Sequence, residues 1–244
     1  MGQTLLSEKI VVVIGGSSGI GFAVAKAALE DGAEVVIASS RQAKVDAAVK
    51  RLGDGARGAA VDVTDEASVA GFFESLGGFH HLVYSAGDWG ARPAGPIGDL
   101  ELGAAQAVFA VRFWGAVAAV KHASRGIAQD GSITLTDGMY AHRPSKGGAL
   151  SSAMLGGIEH LTRALAIDLA PVRVNAVCPG LILTEIWDSI PEAHRADRLR
   201  RMTERQPLPR GGEPAEVAQA YLYLMRGGFT TGQVLKVDGG SSVV

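Results

Sequence analysis

The segment Gly15-Gly16-Ser17-Ser18-Gly19-Ile20-Gly21 is the part of this chain best suited to hold a ligand. It follows the apolar run Ile10-Val11-Val12-Val13-Ile14 and opens an apolar-periodic stretch from Ile20 to Leu29. A buried strand, a glycine turn and a helix start bring free backbone N–H groups and a positive helix end to one point. Such a point suits a pyrophosphate. Gly15 is expected to make the tight turn, Gly19 to let the chain approach the phosphates, and Gly21 to let helix and strand pack closely. Ser17, Ser18 and Ile20 complete the expected contacts. An ordinary glycine turn is the alternative, and the segments downstream argue against it.

Those segments alternate short β-rich runs with helical stretches, with no linker, repeat or low-complexity region between them. The expected strands are Ile10–Ile14, Glu34–Ala38, Gly58–Val61, Leu82–Ser85, Ser132–Thr136, Arg173–Val177 and Gln233–Val237. Their near-continuous apolar character indicates a parallel sheet covered on both faces. The expected helices are Gly19–Asp31, Gln42–Leu52, Glu66–Leu76, Leu102–Ser124, Leu150–Ala170 and Pro214–Gly227. Asp65 and Glu213 are natural starts for two of them, the second with proline in its first turn. Right-handed crossovers then imply a Rossmann-like, doubly wound, mostly seven-stranded parallel α/β sheet in one domain, 1–244. The stretch 181–212 exceeds a normal connection and is arginine-rich, as expected of a lid insertion beside the crevice.

Composition narrows the partners. The 244 residues suffice for one large core, and 47% hydrophobic with 20% charged residues is ordinary for a folded domain. A net charge of −2 gives no electrostatic reason to expect nucleic acid or an anionic membrane. Arg195 to Arg205 also carries Asp197 and Glu204 and reads as a solvated helix face. Cys178 is the only cysteine, so no internal disulfide can form, which fits a reducing cytoplasm. The first residues lack signal-peptide character and the myristoylation pattern. No apolar run was expected to approach the ~20 residues that span a bilayer. No metal is expected.

With these features the chain resembles a short-chain dehydrogenase/reductase along nearly its whole length. The glycine loop resembles that family's TGxxxGIG, with Ile14 in place of the threonine. Asp62-Val63 matches its adenine-contacting pair, and Ala86-Gly87 the end of its Asn-Asn-Ala-Gly element, where Tyr84-Ser85 replace both asparagines. Arg173 to Gly180 with Thr184 matches the segment on the nicotinamide side, so Pro179, Gly180, Ile182 and Thr184 are implied contacts there. Thr231-Gly232 and Val237-Asp238-Gly239-Gly240 match its C-terminal signature. The resemblance also implies a homodimer or homotetramer formed through 102–124 and 150–170. Ala116, Ala118, Ala119, Gly156 and Gly157 are small enough for close helix approach or for internal packing.

The end of the second strand reads as a choice of cofactor. A carboxylate there would accept hydrogen bonds from a ribose and repel a 2′-phosphate. Ser39-Ser40-Arg41 has none, and Arg41 can pair with a phosphate, so NADP(H) is the expected cofactor.

The family's proton chemistry rests on a Ser–Tyr–Lys set with a supporting Asn. Lys146, with His142 four residues earlier, is one candidate pair. Helix register argues otherwise, because the family's lysine lies fourteen residues before the leucine that ends Arg163-Ala164-Leu165-Ala166-Ile167-Asp168-Leu169. That count reaches Leu155, and the tyrosine, serine and asparagine positions become Ser151, Gly138 and Arg112. Lys146 and His142 then fall in a solvated loop.

Substitutes for the missing groups are Tyr140 as a proton donor, Asp137 as a base or amine ligand, and Arg112 as an anion or oxyanion holder. Ser151 keeps only a hydroxyl. Packing, turn capping and an Arg112–Asp137 salt bridge are the bland alternatives. Asp88, Trp89 and Trp187 are expected at the mouth. Two functions follow: an NADP(H)-dependent oxidoreductase with a remodelled proton relay acting on a small carbonyl or alcohol, or a non-catalytic NADP(H)-binding or sensing protein.

Overall fold

The computed structural model describes residues 5–87 and 95–244. Seven parallel strands form one sheet in the order β3-β2-β1-β4-β5-β6-β7. They are β1 (Ile10–Ile14), β2 (Glu34–Ser39), β3 (Ala56–Ala60), β4 (Phe79–Tyr84), β5 (Ile127–Thr136), β6 (Arg173–Pro179) and β7 (Val234–Val237). The helices are α1 (Gly19–Glu30), α2 (Gln42–Leu52), α3 (Glu66–Leu76), α4 (Leu102–Phe109), α5 (Gly115–Ala123), α6 (Ala149–Asp168), α7 (Glu192–Thr203) and α8 (Pro214–Arg226). The doubly wound fold read from the sequence is therefore the one present.

Strand alternation divides the interior into two apolar layers. Val12, Ile14, Val36 and Leu135 pack with α3, α5 and α6, while Val11, Val13, Val35 and Ile37 pack with α1, α2 and α8. Strand order reverses between β1 and β4, so the ligand crevice lies beyond their carboxyl ends. Asp65 begins α3 as expected, its carboxylate accepting from the Ala67 N–H at 3.0 Å. At the start of α8, Glu216 accepts from the Glu213 N–H at 2.8 Å and pairs with Arg210.

The main differences from the sequence reading lie where polar residues are satisfied inside. β4 and β5 begin earlier than apolar periodicity suggested, at Phe79 and Ile127. His81 is buried but hydrogen-bonds Ser132 at 2.9 Å, and His80 accepts the Ile10 N–H at 3.1 Å. Burial pushes His81 down to about 3, so it stays neutral there.

The expected single helix 102–124 contains a π-turn at Ala110–Trp114. Its wider winding leaves the Val111 carbonyl to the Tyr84 hydroxyl, which stands over Gly115. By length and composition Leu102–Ala123 is apolar enough to cross a membrane, which corrects the expectation that no such stretch exists. Here it lies beside α3 and α6 with Ala116, Ala119 and Ala123 in the core. Ala116 and Ala119 thus pack internally, whereas Gly156 borders open space.

A methyl at Gly115 would collide with the Tyr84 hydroxyl and press on Val63 at 3.0 Å. Overpacking of about 1–3 kcal/mol outweighs the ~1 kcal/mol that alanine gains in a helix. Gly115→Ala is therefore predicted to lower the urea midpoint, while Gly156→Ala leaves it unchanged or slightly raised. A stable Gly115→Ala protein would contradict the steric argument.

Candidate functional site

The glycine loop is held by contact between two strand exits. Gly15 (φ +90°) turns the chain, and a Cβ there would lie 2.6 Å from the Ala86 backbone nitrogen. A Cβ at Gly21 would collide with the Gly15 carbonyl oxygen and the Ser85 hydroxyl. Gly19 (φ +54°) opens α1, with Ser18 extended before it. The turn expected at Gly15 and the close packing expected at Gly21 are both present. Ser17 hydrogen-bonds Ser39 at 2.9 Å, which ties the loop to the end of β2. Ser40 and Arg41 follow there, both exposed, with Arg41 immediately before α2.

The remaining expected cofactor contacts surround the same crevice. Asp62 accepts from the Thr64 backbone and hydroxyl, which hold its carboxyl below the usual range, and Val63 packs on Gly115. Gly87 leaves room for the Arg112 guanidinium, 2.5 Å from where a Cβ would stand. Pro179 ends β6, and Gly180 allows the Asp238 backbone to approach. Ile182 pairs with Gly212 across the neck of the 181–212 insertion, and Thr184 lies 3.2 Å from a Gly19 Cβ. Trp187 braces this insertion by donating to the Ile182 carbonyl at 3.1 Å. Asp88 and Trp89 lie outside the described residues.

Part of the motif Arg173 to Gly180 serves the scaffold instead. Arg173 donates to the carbonyls of Leu224 and Met225, and Asn175 to that of Thr230.

One ligand-like contact is already made. The exposed Glu185, on the insertion, accepts the Gly19 N–H at 2.9 Å. Its carboxylate stands in for a phosphate oxygen at the positive end of α1. The glycine cradle fits the pyrophosphate of a dinucleotide, and the carboxylate marks where an anion is received. Sequence reading missed Glu185, because nothing in its local pattern shows that it folds back across 166 residues.

Behind the crevice, Gly138 sits against Leu155, whose Cδ1 is 3.2 Å from a Gly138 Cβ. Leu155 is 5% exposed, and Ser151 lies in the first turn of α6, partly buried. Tyr140 belongs to a short 3-10 turn, Met139–Ala141, with its ring against Gly148. Lys146 is exposed in the following loop, as expected.

His142 is not the solvated residue that the sequence suggested. Its Nε2 lies 2.6 Å from Glu159 Oε1, and its side chain is only 21% exposed. Asp137 is 1% exposed and turns toward Glu159 and Cys178 rather than forming the alternative pair with Arg112. Neither of its oxygens makes an aligned hydrogen bond, although the Gly138 N–H and the Cys178 thiol lie beside them. Burial first, and then the facing Glu159 carboxyl, push Asp137 up to about 8. Burial and Asp137 likewise push the Cys178 thiol well up.

A cofactor's pyrophosphate must displace Glu185 from Gly19. Glu185→Ala is predicted to tighten NADPH binding about three- to tenfold in a fluorescence titration, since an exposed charge-assisted hydrogen bond is lost from the free protein only. Unchanged or weaker binding would show that the carboxylate does not compete.

This geometry agrees with comparisons against known proteins. A family model described as enoyl-(acyl carrier protein) reductase matches residues 14–242. The short-chain dehydrogenase/reductase ucsE of an Acremonium species is 36% identical over 259 residues, covering 98% of this chain and 97% of the relative. A crystal structure of a small-chain dehydrogenase in complex with NADPH is 36% identical with a TM-score of 0.83, covering 97% of this chain and 99% of that one. An NADPH-bound short-chain oxidoreductase from Pseudomonas aeruginosa PAO1, described as containing an atypical catalytic center, is 29% identical with a TM-score of 0.89. It covers 97% of each chain. With the nucleotide cradle and sheet order already in place, these matches establish that the chain belongs to the short-chain dehydrogenase/reductase family.

Proposed function

We propose that this protein is an NADP(H)-dependent oxidoreductase acting on a small carbonyl or alcohol through a proton relay unlike the usual one. The observation that carries the reading is the glycine cradle at the switch point, with the Gly138–Leu155 contact marking where the usual relay is replaced. Aligned by helix register, the positions of the family's Asn, Ser, Tyr and Lys hold Arg112, Gly138, Ser151 and Leu155. Leu155 carries neither charge nor donor, so it can neither depress a neighbouring pKa nor hold a ribose hydroxyl.

Bound NADPH would supply the hydride. This chain's own residues must orient the carbonyl and deliver a proton. Tyr140, two residues past Gly138, is the phenol we assign to proton donation. Ser151 supplies a hydroxyl to the carbonyl, and the Arg112 guanidinium, lying over Gly87, supplies positive charge for a developing oxyanion. Ser40 and Arg41 are assigned to the 2′-phosphate, because no carboxylate opposes it at the end of β2. The 181–212 insertion is assigned as the lid. The accessible parts of 102–123 and α6, including the exposed Trp114 and the half-buried Gly156, are assigned to self-association.

The apolar Gly138–Leu155 contact also favours a second reading, an NADP(H)-binding protein without turnover. Stopped-flow mixing of NADPH-loaded protein with a carbonyl panel separates the two. Hydride transfer in a single turnover supports the enzyme, whereas tight NADPH binding with no transfer across the panel supports the binder. Tyr140→Phe is predicted to slow that turnover ~10²–10⁴-fold with NADPH affinity unchanged. An unaffected rate would remove Tyr140 from the relay.

Arg41→Ala is predicted to abolish most of the preference for NADPH over NADH in parallel titrations, about a tenfold loss for one phosphate contact. A retained preference would mean that the phosphate is read elsewhere.

A further inference from the structure

The side chains gathered behind Gly138 bring several metal-ligating atoms together with few aligned hydrogen bonds among them. Ligand atoms of Asp137, His142 and Cys178 all lie within 4.8 Å of one another. Glu159 joins them from α6, with its Oε1 at 2.6 Å from His142 Nε2. That separation suits a hydrogen bond, yet neither atom makes an aligned one. Both Asp137 oxygens are likewise buried, facing the Glu159 carboxyl, the Cys178 thiol and the Gly138 N–H without an aligned hydrogen bond. Lone pairs from two carboxyls and an imidazole, together with a thiol sulfur, therefore share one small interior space.

Removing two carboxyls from water with so few aligned donors is costly unless a cation or a proton joins them. Arg163 supplies part of the charge, holding the other Glu159 oxygen, Oε2, at 3.2 Å. This leaves Oε1 directed inward. Two carboxylates and a thiolate carry three negative charges, which one guanidinium and one dication would balance.

We propose that Asp137, His142, Glu159 and Cys178 form a buried binding site for a divalent transition metal, with Zn²⁺ the best match to its mixed oxygen, nitrogen and sulfur donors. Zinc takes four such ligands at ~2.0–2.3 Å, which places them ~3.4–3.7 Å apart in a tetrahedron. Asp137, His142 and Cys178 would draw together from within 4.8 Å, and Glu159 Oε1 would move out from its 2.6 Å separation from His142 Nε2 to reach that geometry. All four positions would then be filled by protein, so the site is closed and serves structure rather than reaction. It would clasp the end of β5, the turn carrying Tyr140, β6 and α6 into one unit. This goes beyond the redox reading, and its test reads metal rather than turnover.

The full-length protein should be reduced, stripped with a chelator under anaerobic conditions, and titrated with Zn²⁺ and Co²⁺. The expected result is one ion per chain, a raised melting temperature, and with Co²⁺ a thiolate-to-metal charge-transfer band with tetrahedral d–d absorption. Cys178→Ser should abolish the charge-transfer band, and His142→Ala should weaken Co²⁺ binding at least tenfold. The wild-type Co²⁺ spectrum keeps the test decisive if either variant folds poorly. Two results would overturn the site: no ion retained at micromolar Zn²⁺ or Co²⁺, or an ion bound equally well by both variants. A melting temperature raised by Asp137→Asn, with no metal bound by the wild type, would show instead that the carboxyls share a proton.

Discussion

The constraint on which the rest of the molecule depends is the close passage of two strand exits at the switch point. The backbone of Gly15 runs against that of Ser85 and Ala86, and Gly21 packs onto Gly15 from the first turn of α1. The obstructing atoms are mainly backbone from β1 and β4, paired strands at the centre of the sheet, so they cannot move aside as a flexible side chain would. This contact sets the direction of α1 and exposes the Gly19 N–H. It also brings Ser85, Ala86 and Gly87 to the crevice. The insertion then reaches across to that same N–H through Glu185. The exposed Gly19 N–H at the positive end of α1 thus follows from a few missing Cβ atoms.

A second feature is the contrast on either side of Gly138. Toward Leu155 the contact is apolar, whereas one residue earlier Asp137 opens into a cluster of ionisable side chains between β5, β6 and α6. The two sheet faces otherwise carry continuous apolar layers. Buried carboxyls in such a setting are retained only where something offsets their desolvation. The chain spends part of its stability at the place where the turn bearing Tyr140 leaves the sheet.

Much of this could be read from residue order alone. The strands from Ile10, Glu34 and Arg173, the starts of α3 and α8, and the glycine loop all rest on local rules of periodicity, capping and backbone sterics. Those rules act over a few residues, so a linear reading captures them. The chain's membership of its family follows from the same local motifs. The absence of a carboxylate at Ser39-Ser40-Arg41 is likewise a property of the residues in order.

Other features were decided only by folding. The early starts of β4 and β5 come with the pairing of Phe79 and Ile127 across the sheet, and the π-turn comes with Tyr84 taking the Val111 carbonyl. Arg173 and Asn175 looked like part of a nicotinamide segment, but they bind carbonyls at the α8–β7 connection because β6 enters the sheet beside them. His142 looked like a loop residue until α6 brought Glu159 to it. Glu185 met Gly19 in the same way. Each of these depends on partners far apart in sequence, joined by strand pairing and helix packing. Local sequence determined the cradle and the family, while long-range packing determined which charged groups face one another.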